Sequence, residues 1–158
     1  MTKKFKIDLT LVARGLGLPD TECRALFSDG RMVGHFVERK LVYEFGWKLS
    51  ASKSSPWDAV DSFGKRLEIR CLTDKIIFRP SNQIGQGRDF EESSFIDKLK
   101  QIDGYVIVDI KKLPELGVIE VARIPIKRVW RLYRKGILGK NAEVGYKKAR
   151  KLFFHERE

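Results

Sequence analysis

Apolar and charged residues alternate with period 2 through Arg66–Leu72, the run RLEIRCL. Successive side chains of a strand point to opposite faces. Leu67, Ile69 and Cys71 therefore share one face, and Arg66, Glu68 and Arg70 share the other. Upstream, Trp57–Val60 reads as a second short strand, with Asp61-Ser62-Phe63-Gly64 as the turn between the two. Asp58 lies across that turn and reaches the charged side. A plus-minus-plus series at the centre of a strand needs partners if the strand is buried. Two readings satisfy the pattern. One is an edge hairpin with a solvated charged face. The other is a carboxylate pair, Asp58 and Glu68, set to hold a hard cation such as Mg²⁺.

Before the hairpin, Leu9–Leu16 and Asp20–Phe27 predict two short helices, broken at Gly17 and Pro19, and Ser28-Asp29-Gly30 predicts a turn. A longer amphipathic helix is predicted over Gly34–Leu49, with Leu41, Val42, Phe45 and Leu49 on one face. Glu38 falls on that same face. An acid there is costly unless a positive charge meets it, although the helix N-terminus favours negative charge. The polar loop SASKSSP follows, and its hydroxyls and Lys53 are either phosphate contacts or solvated.

After the hairpin, Lys75–Arg79 predicts a strand and residues 80–88 a loop rich in glycine and amides. Backbone N–H groups of such a loop can approach phosphate. Arg79, Asn82, Gln83, Gln86 and Arg88 are of the types that read base edges. A helix follows from Ser93 or Ser94 to Ile102, with Phe95, Ile96, Leu99 and Ile102 as its apolar side. Tyr105–Ile110 is nearly all apolar, as a central strand covered on both faces would be. Asp109 on it needs a basic neighbour. Val118–Ile126 predicts another strand, and two basic helices close the chain, the first carrying Arg128, Arg131 and Arg134 and the second spanning roughly Val144–Phe154.

A chain of 158 residues has room for one real core. Its formal charge is +11, from 32 basic and 21 acidic residues, and the excess gathers after Lys127. That balance favours a polyanionic partner such as nucleic acid. The two cysteines, Cys23 and Cys71, form no CxxC pair or zinc spacing. Two reduced thiols in a cytoplasmic protein are expected. No run is long and apolar enough to span a membrane, and the N-terminus lacks the apolar stretch of a leader.

Gly34-x-x-x-Glu38, then Asp58, then Glu68-Ile69-Arg70 resembles the core motif of the PD-(D/E)XK nuclease superfamily. That motif is a Glu on the first core helix, an Asp at a strand start and a Glu-x-Lys on the next strand. The run Asp58-Ala59-Val60-Asp61 with Gly64 and Glu68 is similar to the active-site hairpin of type II restriction endonucleases. GHFVERKLV, residues 34–42, resembles the opening of archaeal Holliday-junction resolvases, which share the core. The resemblance covers residues 34 to about 110. It implies an α/β fold with a restriction-endonuclease-like core, a central mixed β-sheet flanked by helices. It further implies that Asp58, Glu68 and the Ile69 carbonyl bind Mg²⁺ and that Glu38 assists directly or through water.

One departure matters. The family usually has Lys where this chain has Arg70. Arg stabilises charge but is a poor base. Lys65 has the wrong parity to replace that Lys, which leaves Lys53 as the sequence's candidate.

Together these features predict one nuclease domain: an N-terminal helical segment (1–33), a catalytic core (34–126) and basic C-terminal helices (127–158). The expected activity is Mg²⁺-dependent cleavage of double-stranded DNA by a homodimeric, site-specific type II enzyme, with Glu38, Asp58, Glu68 and Arg70 as its catalytic set. A junction resolvase of the same superfamily and an inactive DNA-binding protein are the rivals.

Overall fold

The computed structural model describes residues 2–52, 54–84 and 87–154. In chain order the elements are β1 (Thr2–Lys6), α1 (Leu9–Leu16), α2 (Asp20–Leu26), α3 (Gly30–Phe45), β2 (Lys48–Leu49), β3 (Ala59–Val60), β4 (Arg66–Leu72) and β5 (Lys75–Ile77). A 3₁₀ turn at Ser81–Gln83 leads to α4 (Glu92–Gln101), β6 (Gly104–Asp109), α5 (Leu113–Leu116), β7 (Val118–Pro125), α6 (Ile126–Arg134), β8 (Glu143–Gly145) and α7 (Tyr146–Phe153). The main sheet has six strands in the order β1-β7-β6-β4-β3-β2. It is mixed: β4 and β6 are parallel, and the other pairs are antiparallel. A parallel pair needs a crossover, which α4 supplies.

The apolar run on β6 is buried at every residue because both faces of the sheet are covered. On one face, Val33, Val37 and Leu41 of α3 pack against Leu67, Ile69, Val106 and Val108. On the other, Phe95 and Leu99 of α4, Val129 of α6, and Ala149 and Phe153 of α7 pack against Leu72, Tyr105 and Ile107. Period 2 thus sends Glu68 and Arg70 toward α4, and Ile69 and Cys71 toward α3. The hairpin is internal to the sheet and not a solvated edge. The polar end of the second face is closed by Asp109, which accepts from Tyr146 at 2.9 Å and pairs with Arg150 at 3.2 Å.

Three elements differ from the sequence pattern. The N-terminal segment is not purely helical, because Thr2–Lys6 adds β1 to the edge of the sheet. Its lysines hide it from a hydrophobic count, and such residues protect an exposed edge. Helix α3 runs four residues earlier than the stripe suggested, over Gly30–Phe45. The Val33 N–H bonds to the Asp29 carbonyl, so the presumed turn is the helix start. Gly46, at φ +63°, stops it, with the Trp47 N–H returning to the Val42 carbonyl, and Leu49 falls in β2 instead. Finally, β5 pairs outside the main sheet with β8, which the basic tail concealed. The two-residue β2, the 3₁₀ turn at Ser81–Gln83 and the single-turn α5 carry no periodic signal and are not expected from the sequence; the other elements lie within a residue or two of their predicted places. Among the described residues, no helix is long and apolar enough to cross a membrane.

Asp61 fastens the β3–β4 turn. Its buried carboxylate accepts the Phe63 and Lys65 N–H groups at 2.9 and 2.8 Å and pairs with Arg123 of β7 at 2.6 Å. Gly64, at φ +76°, completes the turn. Burial alone would raise the Asp61 pKa, but the Lys65 N–H, Arg123 and the Phe63 N–H hold it below the ordinary value. A depressed folded pKa contributes stability above the unfolded pKa that is lost as pH falls through the folded one. Asp61→Asn is therefore expected to cost about 1–3 kcal/mol at pH 7. Urea unfolding at pH 7 and pH 3 checks this, and the gap from wild type should narrow at pH 3.

Candidate active site

Strand β4 outruns its neighbour. β3 begins at Ala59 opposite Leu67, so the β3-side edge of β4 is open from Glu68 onward. The carbonyls of Arg66 and Leu72 bond toward β6, and that of Leu67 bonds to the Asp58 N–H. Odd residues of β4 therefore turn their backbone groups toward the open edge. The Ile69 N–H is taken there by the Asp58 carboxylate at 2.7 Å, and the Ile69 carbonyl leaves on the same side. This edge and the first half of α3 wall a groove of about 530 Å³, lined by Gly34, Glu38, Ile69, Arg70, Cys71 and Lys75 among others.

Burial raises the pKa of Glu38 on the groove wall, and the Asp58 charge raises it further; His35, at 3.3 Å from Glu38, opposes both. Glu68 is buried, with its side chain only 4 % exposed. Arg70 Nη2 sits 2.7 Å from one of its oxygens, and Lys98 Nζ sits 2.7 Å from the other. Burial raises the Glu68 pKa; Arg70 pulls it down, Asp58 pushes it up and Lys98 pulls it down. The net direction is upward. Burial also pushes the Cys71 thiol up to about 12, so Cys71 is an inert wall of the groove.

Lys98 is the residue that sequence reasoning missed. It comes from α4 and is buried with Phe95 and Leu99. The signal was present: Lys98 is three residues after Phe95 and four before Ile102, both buried. On a helix that spacing puts it in the middle of the apolar stripe. Counting only apolar residues skipped it.

Arg70 differs from its expected role as a cation open to substrate. Besides Glu68 it reaches the Ser81 hydroxyl at 3.2 Å and the Arg79 carbonyl at 3.3 Å, tying β4 to the loop after β5. Gln83, expected to read bases, is buried. Its side-chain amide donates to the Glu91 carbonyl, and its side-chain oxygen accepts the Glu91 N–H. Arg79 is largely buried beside Glu143. Asn82 and Arg88 remain exposed, with Arg88 bonded to the Asn82 and Ile84 carbonyls. Lys53 and Gln86 lie outside the described residues. On the basic helices Arg131 and Arg134 are exposed, the latter over the Trp130 ring. Arg128 is drawn inward to the Leu152 carbonyl and Phe153, joining α6 to α7.

The three acids do not form a ready-made ligand set. Among the described residues, no group of three or more His, Cys, Asp or Glu side chains is gathered for a metal. Mg²⁺ does not require one, since it keeps several waters and uses one or two carboxylates. Asp58 and Glu68, which feel each other's charge beside an open carbonyl edge, fit that need. No family model matches the chain, and no curated protein matches it.

The raised carboxyl pKa values have a common cause that can be removed. Asp58→Asn is expected to lower the pKa of both Glu38 and Glu68 in metal-free protein. Carbon-13 titration of the carboxyl signals reads this directly, and unchanged values would exclude the charge coupling.

Proposed function

We propose that the protein is a Mg²⁺-dependent DNA endonuclease of the PD-(D/E)XK type. The observation that carries this reading is the open edge of β4, where Asp58 accepts the Ile69 N–H and lies within charge range of both Glu68 and Glu38. The order α3, β3–β4 hairpin, α4, β6 also fits the helix, hairpin, helix and buried strand that the resemblance implies.

Asp58 and Glu68 would hold the ion, with the Ile69 carbonyl as a neutral donor. Bound there, Mg²⁺ would neutralise phosphate charge and make a water nucleophilic near neutral pH. Asp58 does a second job by clamping the Ile69 peptide, which fixes the position of that carbonyl. Glu38 would assist from the groove wall, directly or through a water. Arg70 holds Glu68 in orientation and also lines the groove, where its charge would favour a phosphate. The exposed cations Lys127, Arg131, Arg134, Lys147 and Lys151 supply backbone attraction that is independent of sequence.

The substrate follows in two versions. A homodimeric type II enzyme cutting both strands of a specific duplex site is the first. The second is a junction resolvase. In the loop after β5, Gln83 and Arg79 are committed to the protein's own structure, and Asn82 and Arg88 are the exposed candidates among the described residues for reading bases in the first version.

Supercoiled plasmid, long linear DNA and a synthetic four-way junction, each incubated with Mg²⁺ or EDTA, test the proposal. Discrete cleavage only with Mg²⁺, reduced by at least about a hundredfold in Glu68→Ala, is expected. Fragments with common ends from linear DNA mark a site-specific enzyme, whereas cutting confined to the junction marks a resolvase. Salt-sensitive binding with no cutting of any substrate would leave an inactive binder.

A further inference from the structure

Glu68 is the one proposed metal ligand whose two oxygens are each held by a cation. Arg70 grips one from the same strand and is fixed by two further acceptors, Ser81 and the Arg79 carbonyl. Its Nε is buried with no hydrogen-bond partner among the described residues. Lys98 grips the other oxygen, and Glu68 is the single ion-pair partner it has among the described residues. It reaches that oxygen from a different element, along a flexible four-carbon stem. The two cations are thus unequal: Arg70 is anchored, and Lys98 is tethered at one contact.

We propose that Lys98 is a built-in competitor for the divalent cation, holding the metal-binding oxygen of Glu68 until the ion displaces it. This rests on the Mg²⁺ reading above and assigns a role within it. A carboxylate 4 % exposed cannot stay ionised without positive charge nearby. Lys98 supplies that charge when the ion is absent. When the ion arrives, two positive charges face one oxygen, and the more mobile one gives way. The ammonium would then leave Glu68 on its stem. Lys98 acts here through Glu68 and is a positioning residue. The exchange involves no proton transfer.

Two measurements on the protein without DNA test this. In the first, Mn²⁺ binding is followed by electron paramagnetic resonance at pH 8 for wild type, Glu68→Ala, Lys98→Met and Lys98→Arg. Lys98→Met should bind Mn²⁺ at least about tenfold more tightly than wild type, a modest share of the repulsion between an ammonium and a divalent ion at such range. Lys98→Arg, which keeps the charge, should stay near wild type. In the second, wild-type protein is reductively methylated with and without Mg²⁺, and Lys98 labelling is compared with that of exposed Lys100 by peptide mass spectrometry. Labelling of Lys98 should rise severalfold with Mg²⁺ while Lys100 stays constant. This arm needs no variant to fold. Binding that Glu68→Ala abolishes but Lys98→Met leaves unchanged, with Lys98 labelling indifferent to Mg²⁺, overturns the competitor role alone. Binding unaffected by Glu68→Ala, or no binding by wild type, overturns the metal-site reading and this inference together.

Discussion

A carboxylate in the middle of a β-sheet has to be met by positive charge, and the site is built around that demand. Glu68 stands on β4 with a covered strand on one side and the short hairpin strand on the other. Its side chain points into the layer where α4 packs. Water cannot solvate it there, so Arg70 and Lys98 must. Each of those cations links Glu68 to another part of the chain. Arg70 reaches Ser81 and the Arg79 carbonyl and so fixes the chain after β5. Lys98 comes from α4, whose other buried residues pack in the second core.

The same demand explains the shape of the groove. β3 is only two residues long, so Asp58 precedes the paired stretch instead of joining it. Its carboxylate caps the first unpaired N–H of β4 in place of a neighbouring strand. A longer β3 would have closed the edge and consumed the Ile69 carbonyl in a ladder bond. The open carbonyl edge and the acid beside it are two consequences of one early strand start. Asp61 and Arg123 stop the hairpin from sliding, and a slip of one residue would exchange the faces of Glu68 and Ile69.

Much of the fold was legible because it rests on periodicity. The hairpin, the apolar run of β6 and the stripe of α4 each bury a face that sequence spacing announces. β1 and β8 were hidden because a short strand with exposed lysines or a flanking glycine carries no apolar signature. The boundaries of α3 were misread because Leu49 continues the stripe arithmetically, whereas Gly46 ends the helix physically. The site was half legible. Strand parity put Glu68 and Arg70 on one side, and the motif brought in Asp58 and Glu38. The bonds of Arg70 to Ser81 and the Arg79 carbonyl, and of Gln83 to the Glu91 backbone, were not visible, because periodicity does not report how a loop folds back on its strand. Lys98 was overlooked for a different reason: the stripe was read from apolar residues alone, and a buried lysine within it does not register there.

The buried charges also bear on why this face of β4 is not simply apolar. Replacing a buried ion pair by well-packed hydrophobic residues is often neutral or stabilising, because desolvation offsets most of the Coulomb attraction. The second core has such residues at hand on every side, in Phe95, Leu99, Tyr105 and Leu72. An apolar residue at position 68, with another at 98, would serve packing as well as the present arrangement. Stability is therefore not what the Glu68 triad supplies. It places a buried carboxylate, met by two cations, within charge range of Asp58 at a free strand edge. That is a costly arrangement for a scaffold, and it is the arrangement on which the proposed cation site rests. It differs in this from the Asp61–Arg123 pair, whose carboxylate also satisfies two turn N–H groups and whose burial is explained by structure alone.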